Sequence, residues 1–544
     1  MSGPGKFHGF PAHDPTQHTN GTSVTTSSSE TVAAVLGRGA GAAPAIGAPG
    51  RAPLTYDGLR ALVEASGAWL GARGIGPNDR VAIVLSNGPH AATAFLAVAA
   101  GATAAPLNAH YRAEEFEFYL TDLKAKALLV EAGMASPSRA VAAKLGITVV
   151  DLRVDPDAPA GQFTLEDAAP RSDLRRAAPA AAPDDLALLL HTSGTTSRPK
   201  LVPLTQRNIT ASAQNIRDTL ALTADDVCLN IMPLFHIHGL IGGVLSSLAA
   251  GAHVCCTPGS HPVKFFAWLD EIRPTWYTAA PSLHRAIVAR ATRHADSVAR
   301  SRLRLIRSSS AALRPELMAA LERTFGVPVL QSYGMTEASH QVASNPLPPA
   351  ARKPGSVGRP AGPEVAIMDE DGILLPEGAT GEVVIRGDNV TAGYEANPDA
   401  NAASFVSGWF RTGDQGRFDE DGYLWLTGRF KELINRGGEK VSPLEIEAVM
   451  MEHPAVQQVV VFAIPDEAHG EEIAAAVVRR EHASLTDREL RHFVASHLAD
   501  FKVPRRILFV EQIPGGATGK LQRIGMAEKL GLVRLKPDAT YADR

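Results

Sequence analysis

Apolar residues from Leu54 onward follow two alternating spacings, one typical of helices and one typical of buried strands. Within 58–74 they recur on one helical face, at Leu59, Leu62, Val63 and Leu70. Short continuous apolar runs predict strands at 81–85, 127–130, 147–151 and 186–190. Strands that alternate with helices of this length predict parallel sheets in an α/β fold.

The pattern changes near Gly355, where Gly, Asp, Glu and Pro begin to separate short apolar runs. The strands predicted at 364–368, 381–385 and 422–426 are typical of a small antiparallel sheet or barrel. After Gly428 helices and strands are mixed. Two helix starts in that region carry the capping-box spacing, Ser442 with Glu445 and Thr486 with Glu489.

A glycine-rich segment, residues 31–43, superficially matches a strand that feeds a dinucleotide-binding turn. Such a turn needs a helix behind it to hold the pyrophosphate. Here Pro44, Pro49 and Pro53 follow, and no helical period survives them. We therefore reject a dinucleotide site and expect a flexible or edge segment.

Composition narrows the class of protein. The 544 residues include 53 Lys and Arg against 57 Asp and Glu, a formal charge of −4, so no basic excess is available to bind nucleic acid. The 3 cysteines exclude a disulfide framework, and Cys255 and Cys256 are expected in the core. No apolar run reaches the length of about 18 residues that spans a membrane. Since the N-terminus also lacks a signal-peptide core, we expect no integral membrane contact and a cytoplasmic protein.

One polar loop, residues 191–200, follows directly after the strand predicted at 186–190. Small residues let backbone N–H groups approach phosphate oxygens, hydroxyls donate to them, and a lysine supplies positive charge. The loop predicts a polyphosphate cradle or, alternatively, a polar surface turn. It is not a Walker A loop, because the second Gly before Lys-Ser/Thr is missing. The candidate phosphate-binding residues are Thr192, Ser193, Gly194, Thr195, Thr196, Ser197 and Lys200.

Three further segments carry candidate chemistry. Within 331–337, Thr336 could hold a phosphate, and Glu337 could hold a Mg²⁺ that bridges phosphate oxygens. Asp414 suits either ribose hydroxyls or an ordinary turn after a glycine. The glycine-rich loop 515–520 presents one lysine, Lys520. None of these segments is specific when taken alone.

Together and in this order, the segments resemble the adenylate-forming superfamily of acyl-CoA synthetases, luciferases and peptide-synthetase adenylation domains. The resemblance extends from Leu54 to Arg523. It implies an α/β protein whose large N-terminal domain holds two parallel-type α/β sub-domains and a small β-barrel, followed by a small mobile α+β C-terminal domain. The implied boundaries are a disordered leader at 1–30, an N-terminal adenylation domain at 31–428 with its barrel-like part at about 355–428, a hinge at 429–431, and a C-terminal AMP-binding-enzyme domain at 432–544.

The resemblance also implies roles for individual residues. Besides the phosphate loop, the implied ATP-binding residues are Ser310, Ala311, Tyr333, Gly334, Asp414 and Arg429. The implied catalytic residues are Lys520, Glu337 and Thr336, with Glu337 also the metal ligand. The hinge residue is Lys431, and the implied CoA-binding residues are Gly437, Gly438 and Lys440.

Two positions of the phosphate loop depart from the family pattern. Ser197 and Leu201 each stand where the family usually has Gly. Leucine at 201 excludes backbone geometry with positive φ at low cost. We expect slightly altered loop mobility and retained activity.

The chemistry implied is that of an ATP-dependent acid–CoA ligase with Mg²⁺ as cofactor and ATP and CoA as co-substrates. A carboxylate attacks the α-phosphorus of ATP to form an acyl-adenylate, and the CoA thiol then displaces AMP. Catalysis of this kind is chiefly positioning and electrostatic stabilisation of phosphate charge.

The acid is expected to be small. Segments 232–240, 276–284, 307–313, 335–340 and 344–348 resemble the oxalate–CoA ligase subgroup. A small dianion needs donors in a confined pocket, and Trp276 or Tyr277 would shorten the space available to an acyl chain. The candidate pocket residues are His236, His238, Ser309 and His340. The spacing of the first two histidines could suggest a metal, but no third ligand appears, so we expect none there.

Alternatives stay open at this point. Each histidine is about as typical of a satisfied core residue as of a ligand, so a medium-chain fatty acid or an aromatic acid remains possible. A stand-alone adenylation enzyme could load a carrier protein instead of CoA, although no carrier domain follows in this chain. A non-catalytic ATP-binding regulator is disfavoured because both Lys520 and Glu337 are retained. Protein partners are not predicted.

Overall fold

The computed structural model describes residues 30–167, 180–192, 199–436, 439–466, 469–514 and 523–532. Four sheets and the helices around them form a large N-terminal and a small C-terminal domain, which confirms the predicted α/β class. Within these ranges no helix is long and apolar enough to cross a membrane. The leader lies outside the described residues, and the exact domain boundaries stay predictions.

The first sheet has seven strands in the order β7-β6-β5-β3-β4-β8-β9. Its interior pairings are parallel, and the edge strands β7 and β9 pair antiparallel. The strands are β3 (Arg80–Val84), β4 (Thr103–Pro106), β5 (Ala127–Glu131), β6 (Thr148–Arg153), β7 (Thr164–Asp167), β8 (Leu186–Thr192) and β9 (Lys200–Thr205). Four of them coincide with the predicted apolar runs, because a strand covered on both faces reads as a continuous apolar stretch.

The second sheet has nine strands in the order β16-β15-β14-β13-β12-β10-β11-β1-β2. The pairings from β14 through β1 are parallel, and β15, β16 and β2 add antiparallel edges. The strands are β1 (Pro44–Ala48), β2 (Arg51–Thr55), β10 (Val227–Asn230), β11 (His253–Cys256), β12 (Trp276–Ala279), β13 (Leu305–Ser308), β14 (Val329–Met335), β15 (His340–Ser344) and β16 (Arg359–Pro360). In open sheets of this kind ligands bind beyond the carboxyl ends of the strands.

The third sheet is antiparallel and occupies the region where short strands were predicted. It runs β17-β18-β20-β19, with β21 paired to β20. The strands are β17 (Glu364–Met368), β18 (Gly381–Arg386), β19 (Phe405–Val406), β20 (Trp409–Phe418) and β21 (Leu424–Arg429).

The fourth sheet belongs to the C-terminal domain and runs β23-β22-β25-β24, with β26 paired to β25. Its own core of valine, isoleucine and alanine side chains is separate from the larger cores. The strands are β22 (Ile434–Arg436), β23 (Glu439–Val441), β24 (Val456–Asp466), β25 (Gly470–Arg479) and β26 (Arg506–Phe509).

Helices cover the faces of the sheets. The α-helices are α1 (Val32–Leu36), α2 (Tyr56–Ala72), α3 (Pro89–Ala99), α4 (Ala113–Asp122), α5 (Pro137–Lys144), α6 (Gln206–Thr219), α7 (Ser246–Ala249), α8 (Phe265–Ile272), α9 (Pro281–Ala291), α10 (Ala295–Ala299), α11 (Pro315–Phe325), α12 (Pro398–Ser404), α13 (Pro443–Glu452), α14 (Asp487–Ala495) and α15 (Met526–Lys529). A π-helix, His238–Leu245, leads into α7. Helices α3, α7 and the π-helix contribute to a core that also includes the buried Cys228 and Cys256.

The expectation for residues 31–53 was partly wrong. Residues Val32–Leu36 form α1, with Val35 fully buried in the main core, and β1 is an inner strand of the second sheet. Only β2 is an edge strand. Pro44 and Pro53 lie in the two extended strands and Pro49 lies in the turn between them, so the prolines end the helical pattern without preventing order, because proline is compatible with extended backbone.

One of the two predicted capping boxes forms. Thr486 and Glu489 exchange the expected hydrogen bonds at the start of α14. The prediction for Ser442 is wrong: its hydroxyl donates to Thr427 O instead of capping α13. The sequence spacing could not reveal this competitor, because Thr427 lies on β21, in a different sheet.

Candidate active site

Strands β8 and β9 frame the predicted phosphate loop. Thr192 ends β8 and pairs with Lys200, the first residue of β9, and the Thr192 hydroxyl donates to Lys200 O at 3.4 Å. The Lys200 ammonium lies 4.2 Å from the centre of the Tyr394 ring. Five predicted loop residues lie outside the described residues: Ser193, Gly194, Thr195, Thr196 and Ser197.

Leu201 is explained by its place in β9. It pairs with His191 in extended backbone, where a non-glycine residue costs nothing. Its side chain is 5% exposed and packs in the core of the first sheet with Leu189 and Phe116. Its carbonyl accepts from Glu395 N at 3.0 Å. Leucine here stabilises the strand that carries Lys200.

Glu337 is a buried carboxylate on the short helical turn after β14. Tyr394 donates its hydroxyl to Glu337 Oε1 at 2.9 Å, and Thr391 N donates to the Glu337 carbonyl at 2.7 Å. Burial raises the pKa of Glu337, and the Tyr394 hydrogen bond together with the charges of Arg429 and Lys200 opposes that rise. The arrangement holds a carboxylate oxygen donor in a buried position.

These residues fit a magnesium ion. Mg²⁺ prefers hard oxygen donors and is usually held by one or two carboxylates together with substrate phosphates. Glu337 supplies a carboxylate whose burial a cation would offset, and the hydroxyl of half-buried Thr336 is adjacent in sequence.

Asp414 and Arg429 face each other across β20 and β21. Arg429 Nε donates to Asp414 Oδ1 at 2.7 Å, and the Tyr333 hydroxyl donates to Asp414 Oδ2 at 2.5 Å. The negative charge of Asp414 raises the pKa of Arg429. Burial, reinforced by Asp414, raises the pKa of Tyr333, so Tyr333 remains a donor. Together these contacts fix a carboxylate that can accept from ribose hydroxyls.

The predicted ATP-binding residues Ser310 and Ala311 follow β13. Ser309 is buried and donates to Ser332 O, whereas Ser310 adopts φ of 73° and Ala311 is exposed. A non-glycine residue at positive φ is strained and persists where the surroundings require it.

A second strained stretch joins the short turn to β15. Ser339 and His340 both have positive φ, at 49° and 105°. Their path requires glycine at 334, because a Cβ there would lie 1.5 Å from His340 O. Strain of this kind is found at functional sites.

The predicted histidines separate into a pair and a single residue. His238 and His340 are buried and stacked, with ring centroids 4.8 Å apart and planes 22° apart. His238 Nδ1 lies 2.8 Å from Ser310 Oγ, and His238 Nε2 lies 2.6 Å from Thr278 Oγ1. His236 is half-buried beside the Phe235 ring. The structure therefore joins His238, His340 and Ser310 in one polar cluster.

Trp276 and Tyr277 are both fully buried in two different core clusters. Tyr277 packs on Phe265 and lies 3.2 Å from His284. The residue of β12 that reaches the histidine pair is Thr278, which sequence reasoning had not chosen.

Three other participants were also missed. Tyr394 contacts Lys200 and Glu337, and Arg307 and Gln341 form a chain that ends on His340. Tyr394 follows a glycine at the end of a polar stretch, which is a weak signal. Arg307 begins the segment 307–313 that resembles the oxalate–CoA ligase subgroup, but its sequence position does not reveal its burial.

The predicted C-terminal residues are described only in part. Lys431 lies in the helical turn Phe430–Glu432 between β21 and β22, and its charge, together with burial, lowers the pKa of Lys200. The predicted hinge residue therefore acts electrostatically on Lys200, a predicted phosphate-binding residue. Lys440 lies in β23, whereas Gly437, Gly438 and Lys520 lie outside the described residues.

Comparison with known proteins agrees with this geometry. The model of the AMP-binding enzyme family matches residues 36–395, and that of the AMP-binding enzyme C-terminal domain matches residues 445–520. The oxalate–CoA ligase of Arabidopsis thaliana is 47% identical over 88% of this chain and 94% of its own length. The oxalate–CoA ligase of Saccharomyces cerevisiae is 42% identical over 83% and 86%.

A solved structure extends the comparison to three dimensions. ATP-bound MatB from Rhodopseudomonas palustris superimposes with a TM-score of 0.83 at 31% identity, over 92% of this chain and 98% of that one. The two family models, the relatives and this structure agree with the order of motifs and with the two-domain fold. The chain belongs to the AMP-binding enzymes of the adenylate-forming superfamily.

Proposed function

We propose that this protein is an oxalate–CoA ligase, an acid–thiol ligase that uses ATP to join oxalate to CoA. The observation that carries the proposal is the buried His238–His340 pair with its hydroxyl partners. This small polar cluster is suited to contact the second carboxylate of a small diacid. The two oxalate–CoA ligases that align over most of the chain support the same acid. The cytoplasm remains the expected compartment.

The first half-reaction forms oxalyl-adenylate. One carboxylate oxygen of oxalate bonds to the α-phosphorus of ATP, and the bond to the β-phosphate oxygen breaks, so that pyrophosphate leaves with its electron pair. Asp414, held by Tyr333 and Arg429, orients the ribose. Lys200 and the hydroxyls of the phosphate loop stabilise the charge that develops on phosphate oxygens.

Magnesium would be held by Glu337, with the Thr336 hydroxyl beside it, and when bound it neutralises phosphate charge. Tyr394 donates to Glu337 and contacts Lys200 through its ring, so it keeps the carboxylate and the ammonium in fixed positions. Lys520 is proposed to approach the α-phosphate during this half-reaction.

The second half-reaction transfers the oxalyl group to CoA. The thiolate sulfur bonds to the activated carbonyl carbon, and the bond to the AMP oxygen breaks. We assign Gly437, Gly438 and Lys440 to the face that admits CoA, and Lys431 to the hinge about which the C-terminal domain turns between the halves. A carrier protein is the alternative thiol donor.

Close backbone packing supports a small acid. Gly242 of the π-helix lies directly against the histidine pair, since a Cβ there would lie 2.7 Å from His340 Nε2 and 3.1 Å from His238 Cδ2. The backbone of the π-helix at Gly242 therefore packs directly on the rings of His238 and His340, with no side chain between them. This wall favours a two-carbon dianion over a medium-chain or aromatic acid.

A panel of acids tests the proposal. Purified protein with ATP, Mg²⁺ and CoA is expected to form AMP and an acyl-CoA with oxalate, with much lower kcat/KM for octanoate and benzoate. Faster turnover of either of the last two acids would overturn the choice of oxalate. If pyrophosphate is released without CoA and the acyl group is transferred only to a carrier protein, the carrier protein and not CoA is the acceptor.

Two variants test the roles of the residues. Lys520→Ala should abolish adenylation without weakening ATP binding, because it removes charge stabilisation from the transition state. His340→Gln should depress oxalate turnover far more than ATP binding. Equal effects on oxalate and ATP would remove His340 from the acid pocket.

A further inference from the structure

The most unusual charge in the described residues is Arg307, in the middle of the second sheet. It lies on β13, in register with Thr278 of β12 on one side and Leu330 of β14 on the other. Its relative exposure is 0%. Arginine is rarely buried without a paired carboxylate, because an uncompensated buried charge is costly.

Arg307 has no such carboxylate partner in the described part of the chain; its hydrogen-bond partners are neutral. Nη1 donates to His340 Nε2 at 2.8 Å, and Nη2 donates to Gln341 Oε1 at 3.1 Å, while buried Nε has no hydrogen-bond partner among the described residues. The acidic group that acts electrostatically on Arg307 is the Cys228 thiol, and burial raises the pKa of that thiol so that it remains uncharged. The guanidinium of Arg307 is therefore a positive charge buried in the sheet without a neighbouring anion among the described residues.

The Arg307 contact fixes the state of His340. A guanidinium has donors only, so His340 Nε2 must accept, and the ring proton must reside on Nδ1. His340 is then a neutral Nδ1–H donor. Gln341 is itself held, because its amide nitrogen donates to Thr219 Oγ1 and Ala361 O, each at 3.0 Å. Gln341 therefore orients the Arg307 guanidinium, and the guanidinium in turn orients the His340 ring.

We propose that Arg307 is a positioning residue that makes the enzyme select acids with a second negative charge. It holds His340 as a neutral donor, and it places an unbalanced positive charge beneath the His238–His340 pair. The distal carboxylate of the substrate supplies the missing negative charge without touching Arg307. This inference rests on the proposed function, since it concerns the acid that the histidine pair receives.

The charge explains a selectivity that hydrogen bonding alone does not. A neutral amide in place of the distal carboxylate could still accept from His340, yet it would leave the buried guanidinium unbalanced. Oxamate is such a molecule: it matches oxalate in size and carries one carboxylate and one amide. Oxalate and oxamate therefore separate the effect of charge from the effects of shape and hydrogen bonding.

The first experiment uses the unaltered protein. With ATP, Mg²⁺ and CoA, kcat/KM for oxalate should exceed that for oxamate at least tenfold, mainly through KM. Comparable kcat/KM values for oxalate and oxamate would overturn the role assigned to Arg307, whatever the results with the variants. Absence of turnover with oxalate would overturn both this inference and the proposed function.

The second experiment replaces the charge. Arg307→Gln should reduce the oxalate-to-oxamate ratio to below about threefold, and Arg307→Lys should retain part of it because the charge remains. The KM for ATP should change less than twofold in both variants. Arg304→Gln is the matched control: Arg304 lies three residues earlier, is paired with Asp226 at 2.7 Å, and should leave the ratio unchanged.

Three results of the variant experiment would overturn the inference while leaving the proposed function intact. The first is Arg307→Gln with full preference for oxalate, and the second is an equal loss for oxalate, oxamate and ATP, which indicates a merely structural role. Should Arg307→Gln fail to fold, Gln341→Glu provides the same test, because it gives the guanidinium an internal carboxylate. An unchanged oxalate-to-oxamate ratio in Gln341→Glu is the third.

Discussion

The hydroxyl of Tyr333 provides a sharp test of the nucleotide site. It donates to Asp414 Oδ2 at 2.5 Å in a buried environment, and Tyr333→Phe removes it with little change of volume. A hydrogen bond to a charged acceptor contributes about 1.5–3 kcal/mol. Asp414 would keep Arg429 on its other oxygen, but the Arg429 side chain is 46% exposed, so water weakens that pair.

The loss should appear as weaker ATP binding. Since about 1.4 kcal/mol corresponds to tenfold in affinity, the KM for ATP should rise roughly 10-fold to 100-fold. The KM for oxalate should change less than twofold. Steady-state AMP formation at varied ATP measures the first quantity and at varied oxalate the second.

Deoxynucleotides identify the contact that is lost. If Asp414 accepts from the ribose, the unaltered protein discriminates against 2′-deoxy-ATP and 3′-deoxy-ATP, and Tyr333→Phe should discriminate less. Tyr423→Phe is the control, because Tyr423 is also a buried tyrosine and its hydroxyl donates to the Ala351 carbonyl. An unchanged KM for ATP, or a similar rise in the control, would refute the assignment of Asp414 to the ribose.

Three further predictions concern stability. Leu201→Ala should lower the free energy of unfolding by about 2–4 kcal/mol, because it leaves a cavity in the core, and it should change the KM for ATP less than threefold. Chemical denaturation measures the first quantity and steady-state kinetics the second. Unchanged stability with a larger rise in the KM for ATP would instead place Leu201 in phosphate binding. Burial lowers the pKa of His284 to about 4 in the folded protein. Between pH 6.5 and pH 4 the unfolded chain therefore binds a proton at this histidine that the folded protein does not, so the free energy of unfolding falls as the pH drops through that range. His284→Gln should make the fall of melting temperature over that range shallower, and an equal slope would contradict the burial argument. Glu447→Ala should lower the free energy of unfolding by about 3 kcal/mol, because Arg523 then keeps only one of its two partly buried carboxylate partners. Glu445→Ala, on the exposed side of the same helix, should lower it by less than 1 kcal/mol; urea unfolding measures both.

Much of the fold followed from the sequence because its signals are local. Continuous apolar runs mark strands covered on both faces, and β5 and β8 begin at the predicted residues. Local patterns were least reliable where a distant group competes, as Thr427 does for the hydroxyl of Ser442. Proline spacing was also misleading at β1, because proline tolerates an extended strand as readily as a loop.

The candidate site divides in the same way. Residue types with a strong chemical preference, such as Lys200, Glu337 and Asp414, could be chosen from motifs, although their assigned roles stay predictions. Tyr394 could not, because its contacts with Lys200 and Glu337 join segments far apart in the chain. Sequence order carries no record of such distances.

The sequence by itself determined the α/β class, the order of the chemical segments and the superfamily. It did so because apolar periodicity and motif order are properties of the linear chain. Only the tertiary structure decided which of several histidines form a pair and which cation lies beneath them. The surroundings of Arg307 in the described chain, which include no carboxylate partner, come from the three other strands β12, β14 and β15, and those neighbours meet only when the sheet has formed.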